Sequence, residues 1–193
     1  MICVIPARGG SKRIPRKNIK LFHGKPIIQY SIETALESGL FSRVIVSTDD
    51  EKTGQIAREN GAEFHRRPDE YAVDDESMGT VDVIAQCLRN IIRPDIVTCA
   101  LYPCAPLIRP VDLVAGFHHF INSVREYLYV SDNHGNDLGQ FYWGLTYSWG
   151  LGHEIIHPAC VKLIPDIQVV DINTPADWER AEKLYEERYN GTE

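Results

Sequence analysis

Short apolar runs alternate with amphipathic stretches along most of the chain. Residues 2–5, ICVI, form an apolar run that stops at Pro6, which predicts a buried strand feeding a loop. In PIIQYSIETALESG (26–39), Ile28, Ile32, Ala35 and Leu36 share one helical face, Pro26 suits the first turn, and Gly39 closes the helix. RVIVSTDD (43–50) predicts a second strand, DEKTGQIARENGA (50–62) a helix ending near Asn60-Gly61, and EFHRRPDE (63–70) a strand that becomes a loop. The same alternation continues with a helix over 78–91, a strand over 95–102 stopping at Pro103, a helix over 110–123 and a strand over 126–132. Residues 133–158, rich in glycine and aromatics, have no clear period and predict loops and short strands folded over the sheet. VKLIP (161–165) and QVVDI (168–172) predict strands. TPADWERAEKLYEERY (174–189) predicts a terminal helix with Thr174 as N-cap, Pro175 at its first position, and Asp177 and Glu179 in its early turns.

Alternating strands and helices of this kind indicate one α/β domain, residues 1–193, with a mainly parallel sheet. Active sites in such sheets lie beyond the carboxyl ends of the strands. PARGGSKRIPRKN (6–18), STDD (47–50) and YPCAP (102–106) all fall at such ends and are expected to converge.

Charge sharpens the first of these segments. The formal net charge is −7, yet seven of the 20 Lys and Arg residues precede the first acid, Glu33. A basic loop on an acidic body points to a small anionic ligand, not to nucleic acid. A Gly9-Gly10 turn after a strand lets backbone N–H groups approach an anion closely, while Arg8, Lys12 and Lys17 add charge and Ser11 a donor. Together these groups suit a polyphosphate. Neither G-x-x-x-x-G-K-[ST] nor G-x-G-x-x-G is present. The five cysteines, Cys3, Cys87, Cys99, Cys104 and Cys160, show no C-x-x-C spacing and are expected to be reduced thiols of a cytoplasmic protein. No signal peptide is visible, and no apolar run approaches the roughly 18 residues that a membrane span needs.

IPARGGSKRIPRKN closely resembles the opening signature of the acylneuraminate cytidylyltransferases. VIVSTDDEKTGQIARENGAE and RRPDEYAVDD resemble that family's second and third blocks. YPCAPLIRP occupies the place of its substrate-side strand end, and VVDINTPADWERAEKLY is similar to its terminal metal-binding strand and helix. Gly139 to Gly144, GQFYWG, is similar to a stretch of the branch that acts on pseudaminic acid, and Tyr102 stands where the sialic acid enzymes carry Gln.

The resemblance implies a Rossmann-like three-layer nucleotidyltransferase fold. It also implies a reaction in which CTP and a nonulosonic acid, pseudaminic or sialic-type, give a CMP-sugar and pyrophosphate. By that resemblance Arg8, Ser11 and Lys12 hold the triphosphate with the backbone of Ala7, Gly9 and Gly10. Lys17 neutralises the α-phosphate, Asn18 reads the cytosine edge, and Arg67 lies on the nucleotide side. Tyr102, Gln140, Phe141 and Tyr142 face the sugar. Mg²⁺ is the implied ion, which takes oxygen ligands from carboxylates and phosphates. Where the family has Asp-x-Asp, this chain has Asp171-Ile172-Asn173, so one charge is replaced by a neutral amide. The segment around 132–160 is shorter than in the family, which weakens the expected homodimer. The competing expectation is a catalytically impaired nucleotide-sugar-binding protein on the same scaffold. No general base is visible.

Two other motifs carry less. HEIIH (153–157) matches the zinc-protease pattern, but Gly150, Gly152 and Pro158 deny it the helix that pattern needs. His118 and His119 are adjacent on a predicted helix, so their rings point about 100° apart and do not share a metal.

Overall fold

The computed structural model describes residues 1–72, 79–89, 97–151, 161–163 and 168–189. The predicted first strand is β1 (Ile2–Pro6), and a two-residue hairpin, β2 (Leu21–Phe22) and β3 (Lys25–Pro26), follows the basic loop. The hairpin turns through His23 and Gly24, both at positive φ, as a tight two-residue turn demands. Next come α1 (Ile27–Glu37), β4 (Arg43–Thr48), α2 (Glu51–Glu59), β5 (Glu63–Arg66), α3 (Thr80–Leu88), β6 (Val97–Leu101), α4 (Pro110–Ile121), β7 (Tyr127–Ser131), β8 (Asp137–Leu145), α5 (Thr146–Gly150), β9 (Val161–Leu163) and α6 (Pro175–Tyr189).

The sheet runs β5-β4-β1-β6-β8-β7-β9. β5, β4, β1 and β6 are mutually parallel, β8 is antiparallel to both β6 and β7, and β9 is parallel to β7. The sheet is therefore mainly parallel with one reversed strand, and every strand of the parallel set ends on the same side.

Alternation along the strands builds two cores, because successive side chains point to opposite faces. Cys3, Ile5, Val44, Val46, Cys99, Leu101, Phe141 and Trp143 join α1, α4 and the start of α6 on one face. Ile2, Val4, Ile45, Ala100, Tyr127, Tyr129 and Tyr142 join α3 and Trp149 of α5 on the other. Gly116 lets α4 pack closely on β8. A Cβ there would lie 2.7 Å from the Phe141 ring.

α6 is anchored by an aromatic cluster. Phe22 of the hairpin meets Tyr30, Trp178 and Tyr185 edge-on, with ring centroids 5.4, 5.6 and 5.5 Å apart. The Arg188 guanidinium donates to Leu107 O at 2.6 Å. This docking brings the chain just before α6, residues 168–174, against the basic loop.

Two expectations differ from the fold. The aperiodic 133–158 stretch contains β8, a nine-residue strand in the interior of the sheet. Its inner residues are buried on both faces, so no alternation of apolar and polar side chains could mark it. Residues 168–172 form no strand and are held by side chains instead, Gln140 on Val170 O and Lys17 on Ile172 O. The shortened segment opens as a turn in which Asp132 Oδ1 accepts from the backbone N–H groups of His134 and Asn136, each at 2.8 Å. The HEIIH motif and Cys160 lie outside the described residues.

Candidate active site

The ends of β1 and β4 are stitched together beneath the basic loop. Ser47 O accepts both Ala7 N at 2.8 Å and Arg67 Nη2 at 2.7 Å. Gly9 N donates to Asp49 Oδ1 at 2.8 Å. A Cβ on Gly9 would fall 2.8 Å from Asp50 Cβ, so only glycine allows this approach. Asp50 also caps α2 through Thr53 N at 2.8 Å and reaches Arg16 at 3.6 Å. Arg16 adopts a left-handed φ of 54°, a strained value for a bulky residue, at the centre of the loop. Gly10, Lys12 and Arg13 stay exposed, and Arg8, Ser11 and Lys17 are partly exposed, along a rim that faces solvent.

Two residues expected at the nucleotide also make internal bonds. Asn18 is buried; its Nδ2 donates to Arg8 O at 2.8 Å and its Oδ1 accepts the Cys104 thiol at 3.4 Å. Its amide therefore pins the basic loop to the segment after β6. Arg67 is 3% exposed and donates to Ser47 through Nε and Nη2. Burial lowers its guanidinium to about 10, with Asp49 opposing the shift, so it stays charged near neutrality. It fixes the strand ends on which the loop stands.

The opposite wall comes from the C-terminal segment. Lys17 Nζ donates to Ile172 O at 2.6 Å, which ties the loop to the residues on either side of Ile172. Asn173 Nδ2 donates to Asp171 Oδ2 at 2.6 Å, and Arg13 Nη2 donates to Asn173 Oδ1 at 3.2 Å. Partial burial pushes the Asp171 carboxyl up from its ordinary value; Asn173 and Lys17 oppose this, while Asp137 and Asp177 add to it.

A line of hydroxyls closes the third side. Tyr102 OH sits 3.0 Å from Thr80 Oγ1, and its ring lies 5.4 Å from that of Tyr142, centroid to centroid. Tyr142 OH in turn donates to Asp137 Oδ2 at 2.6 Å. Burial, then the Tyr102 phenol and the Asp137 charge, push the Tyr142 phenol far up, so it remains a donor. Gln140 bonds Val170 O through Nε2 at 3.2 Å, joining β8 to the Asp171 segment. Phe141 departs from the expectation for it: it points to the α4 face and is core. Sequence reasoning missed Asp137 and Thr80, and placed Cys104 at the site without giving it a role. Only Asp137 left a signal, as an acid opening a long apolar stretch.

The site thus joins cations and backbone donors at the end of β1 with oxygen-rich side chains at Asp171 and Asp137, a donor set that suits phosphates and a hard divalent cation. A cavity of about 340 Å³ between α3 and α5, lined by Tyr71, Asp82, Arg89 and Trp149 among others, includes no residue of the basic loop.

Comparison with known proteins agrees with this chemistry. A cytidylyltransferase family model matches residues 2–140. A pseudaminic acid cytidylyltransferase of Campylobacter jejuni is 34% identical over 224 aligned positions, covering 95% of each chain. A solved CMP:2-keto-3-deoxy-manno-octonic acid synthetase, complexed with CTP, is similar with a TM-score of 0.73 at 17% identity, covering 97% of this chain and 98% of that one. A Mycobacterium tuberculosis protein solved in complex with manganese has a TM-score of 0.64 at 14% identity, covering 94% and 98% of the two chains. The fold is that of the Rossmann-like nucleotidyltransferases.

Proposed function

Since this chain belongs to the cytidylyltransferase family, we propose that it activates a nonulosonic acid, of pseudaminic or sialic type, with CTP. The anomeric hydroxyl oxygen forms a bond to the α-phosphorus, the bond from that phosphorus to the pyrophosphate oxygen breaks, and the hydroxyl proton leaves to solvent. The CMP-sugar and pyrophosphate are the products.

Arg8, Lys12 and Ser11, with the Gly9-Gly10 backbone, hold the triphosphate, since donors and positive charge placed before the reaction stabilise it most. Lys17 neutralises charge accumulating at the α-phosphate. Asn18 and Arg67 keep the loop and strand ends in place. Tyr102, Tyr142 and Gln140 wall the sugar side. Asp171, with Asn173 beside it, marks where a divalent cation, Mg²⁺ or Mn²⁺, would be held. Such an ion supplies charge neutralisation and acidifies a bound hydroxyl when present. The observation that carries this reading is the 2.6 Å bond from Lys17 to Ile172 O, which unites the cationic loop and the carboxylate segment at one edge of the sheet.

The test is pyrophosphate release from CTP with purified pseudaminic, sialic and 3-deoxy-manno-octulosonic acids. Release with the first or second supports the reading. Release with the third alone moves the substrate class, and tight CTP binding without release points to a binding protein.

A further inference from the structure

We propose that Asp137, not Asn173, supplies the second carboxylate beside Asp171 that would hold a divalent cation. This assignment rests on the cytidylyl-transfer reading above and concerns which of the chain's own side chains make up the ion's donor set.

Asn173 is committed elsewhere. Its Nδ2 donates to Asp171 Oδ2 and its Oδ1 accepts from Arg13, while its backbone N–H donates to Asp177 at 3.0 Å. A carboxylate only accepts and a guanidinium only donates, so these two neighbours fix which way the amide points. Its oxygen faces a cation already, and its NH₂ group faces Asp171.

Asp137 is placed differently. It opens β8 opposite Ser131 and is held by two hydrogen bonds, one to each oxygen: Tyr142 OH to Oδ2 at 2.6 Å and Gly139 N to Oδ1 at 3.0 Å. Each oxygen keeps a lone pair for an ion. Gly139 brings the two acids together. It has a φ of +57°, and a Cβ on it would lie 2.8 Å from Asp171 Cγ. One glycine therefore donates to Asp137 through its nitrogen while its α-carbon lies against Asp171. The charges are close enough to feel each other, since Asp137 adds to the upward shift at Asp171. Next in the strand, Gln140 is 1% exposed and its Oε1 has no hydrogen-bond partner among the described residues. Its Nε2 is held by Leu138 O, Gly139 O and Val170 O, the carbonyl just before Asp171. A buried acceptor without a donor, on a side chain whose amide nitrogen bonds the carbonyls of Gly139 and Val170 that adjoin the two acids, is a cost that a cation or its bound water nearby would relieve, along with the repulsion between the carboxylates. One or two carboxylates completed by phosphate oxygens is the usual set for Mg²⁺.

The experiment titrates Mn²⁺ against the full chain with CTP present and no sugar acid, following free Mn²⁺ by electron paramagnetic resonance, so that no turnover is involved. Asp137→Asn should weaken Mn²⁺ binding at least about tenfold, whereas Asn173→Ala should change it less than about threefold. Tyr142→Phe, which releases only Asp137 Oδ2, should weaken it by about threefold and serves if Asp137→Asn loses its native circular dichroism. A natively folded Asp137→Asn with unchanged Mn²⁺ affinity overturns the assignment. So does Asn173→Ala losing as much as Asp137→Asn, or, where it carries the test, an unchanged Tyr142→Phe. Calorimetry separates this failure from the larger one: a wild type that binds no CTP overturns the family reading with it, while one that binds CTP normally leaves that reading standing.

Discussion

Lys17 and Gly9 tie the basic loop to its surroundings, the first through Ile172 O and the second through Asp49. Lys17 is partly exposed and bonds a backbone carbonyl, so removing it leaves no buried charge unpaired. Lys17→Ala should keep the fold and lower kcat for CMP-sugar formation by about 10²- to 10³-fold, the loss expected for one preplaced donor. An equal rise in KM for CTP with kcat untouched would instead make Lys17 a binding group only. Gly9→Ala forces a Cβ to within 2.8 Å of Asp50 Cβ. Calorimetry should show its CTP affinity down about tenfold or more, with the melting temperature falling less than for a core deletion, because the loop and not the sheet must shift. The cationic residues were legible in the sequence because charge and glycine are visible in one dimension. The inward turn of Asn18 was not, because its partners Arg8 O and Cys104 come together only when β1 and β6 lie side by side.

Elements with local signals were the easiest to read. α2 shows this: Asp50 precedes the helix and accepts from Thr53 N and Thr53 Oγ1, at 2.8 and 2.6 Å. Asp50→Ala should cost about 1 kcal/mol in urea unfolding at neutral pH. Burial alone would raise the Asp50 carboxyl, but the Thr53 bonds and Arg16 outweigh it and hold it below its ordinary value. The folded form therefore binds its proton less readily than the unfolded chain. The stabilisation is whole above the unfolded value of about 3.9 and fades as pH falls below it through the lowered folded value. A gap between wild type and Asp50→Ala that widened on acidification would contradict this. β8 was not legible, because glycines at 139 and 144 and aromatics between them replace the alternation that marks a strand. The glycines answer tertiary contacts: a Cβ at Gly144 would lie 2.6 Å from the Tyr127 ring.

Over the whole molecule, the sheet collects segments separated by up to 160 residues, such as Arg13 and Asn173, at one edge. That convergence follows from strand direction: parallel β1, β4 and β6 all end there, and antiparallel β8 begins there. The core beneath is closed. Burial lifts the Cys87 thiol to about 12 and the Cys104 thiol, also raised by Asp171 and opposed by Lys17, to about 12. Cys3, Cys87, Cys99 and Cys104 are all buried and should resist iodoacetamide at pH 8 in the native protein and react on unfolding, as peptide mass analysis would record. Rapid native alkylation of Cys104 would mean that the clamp on Asn18 opens. The account turns on the basic loop and the Asp171 segment jointly gripping CTP, and calorimetry with magnesium present measures this most directly. A saturable one-to-one heat of CTP binding, weakened in both Lys12→Ala and Lys17→Ala, is the predicted result; no heat with the wild type, or equal heats in all three proteins, would contradict it.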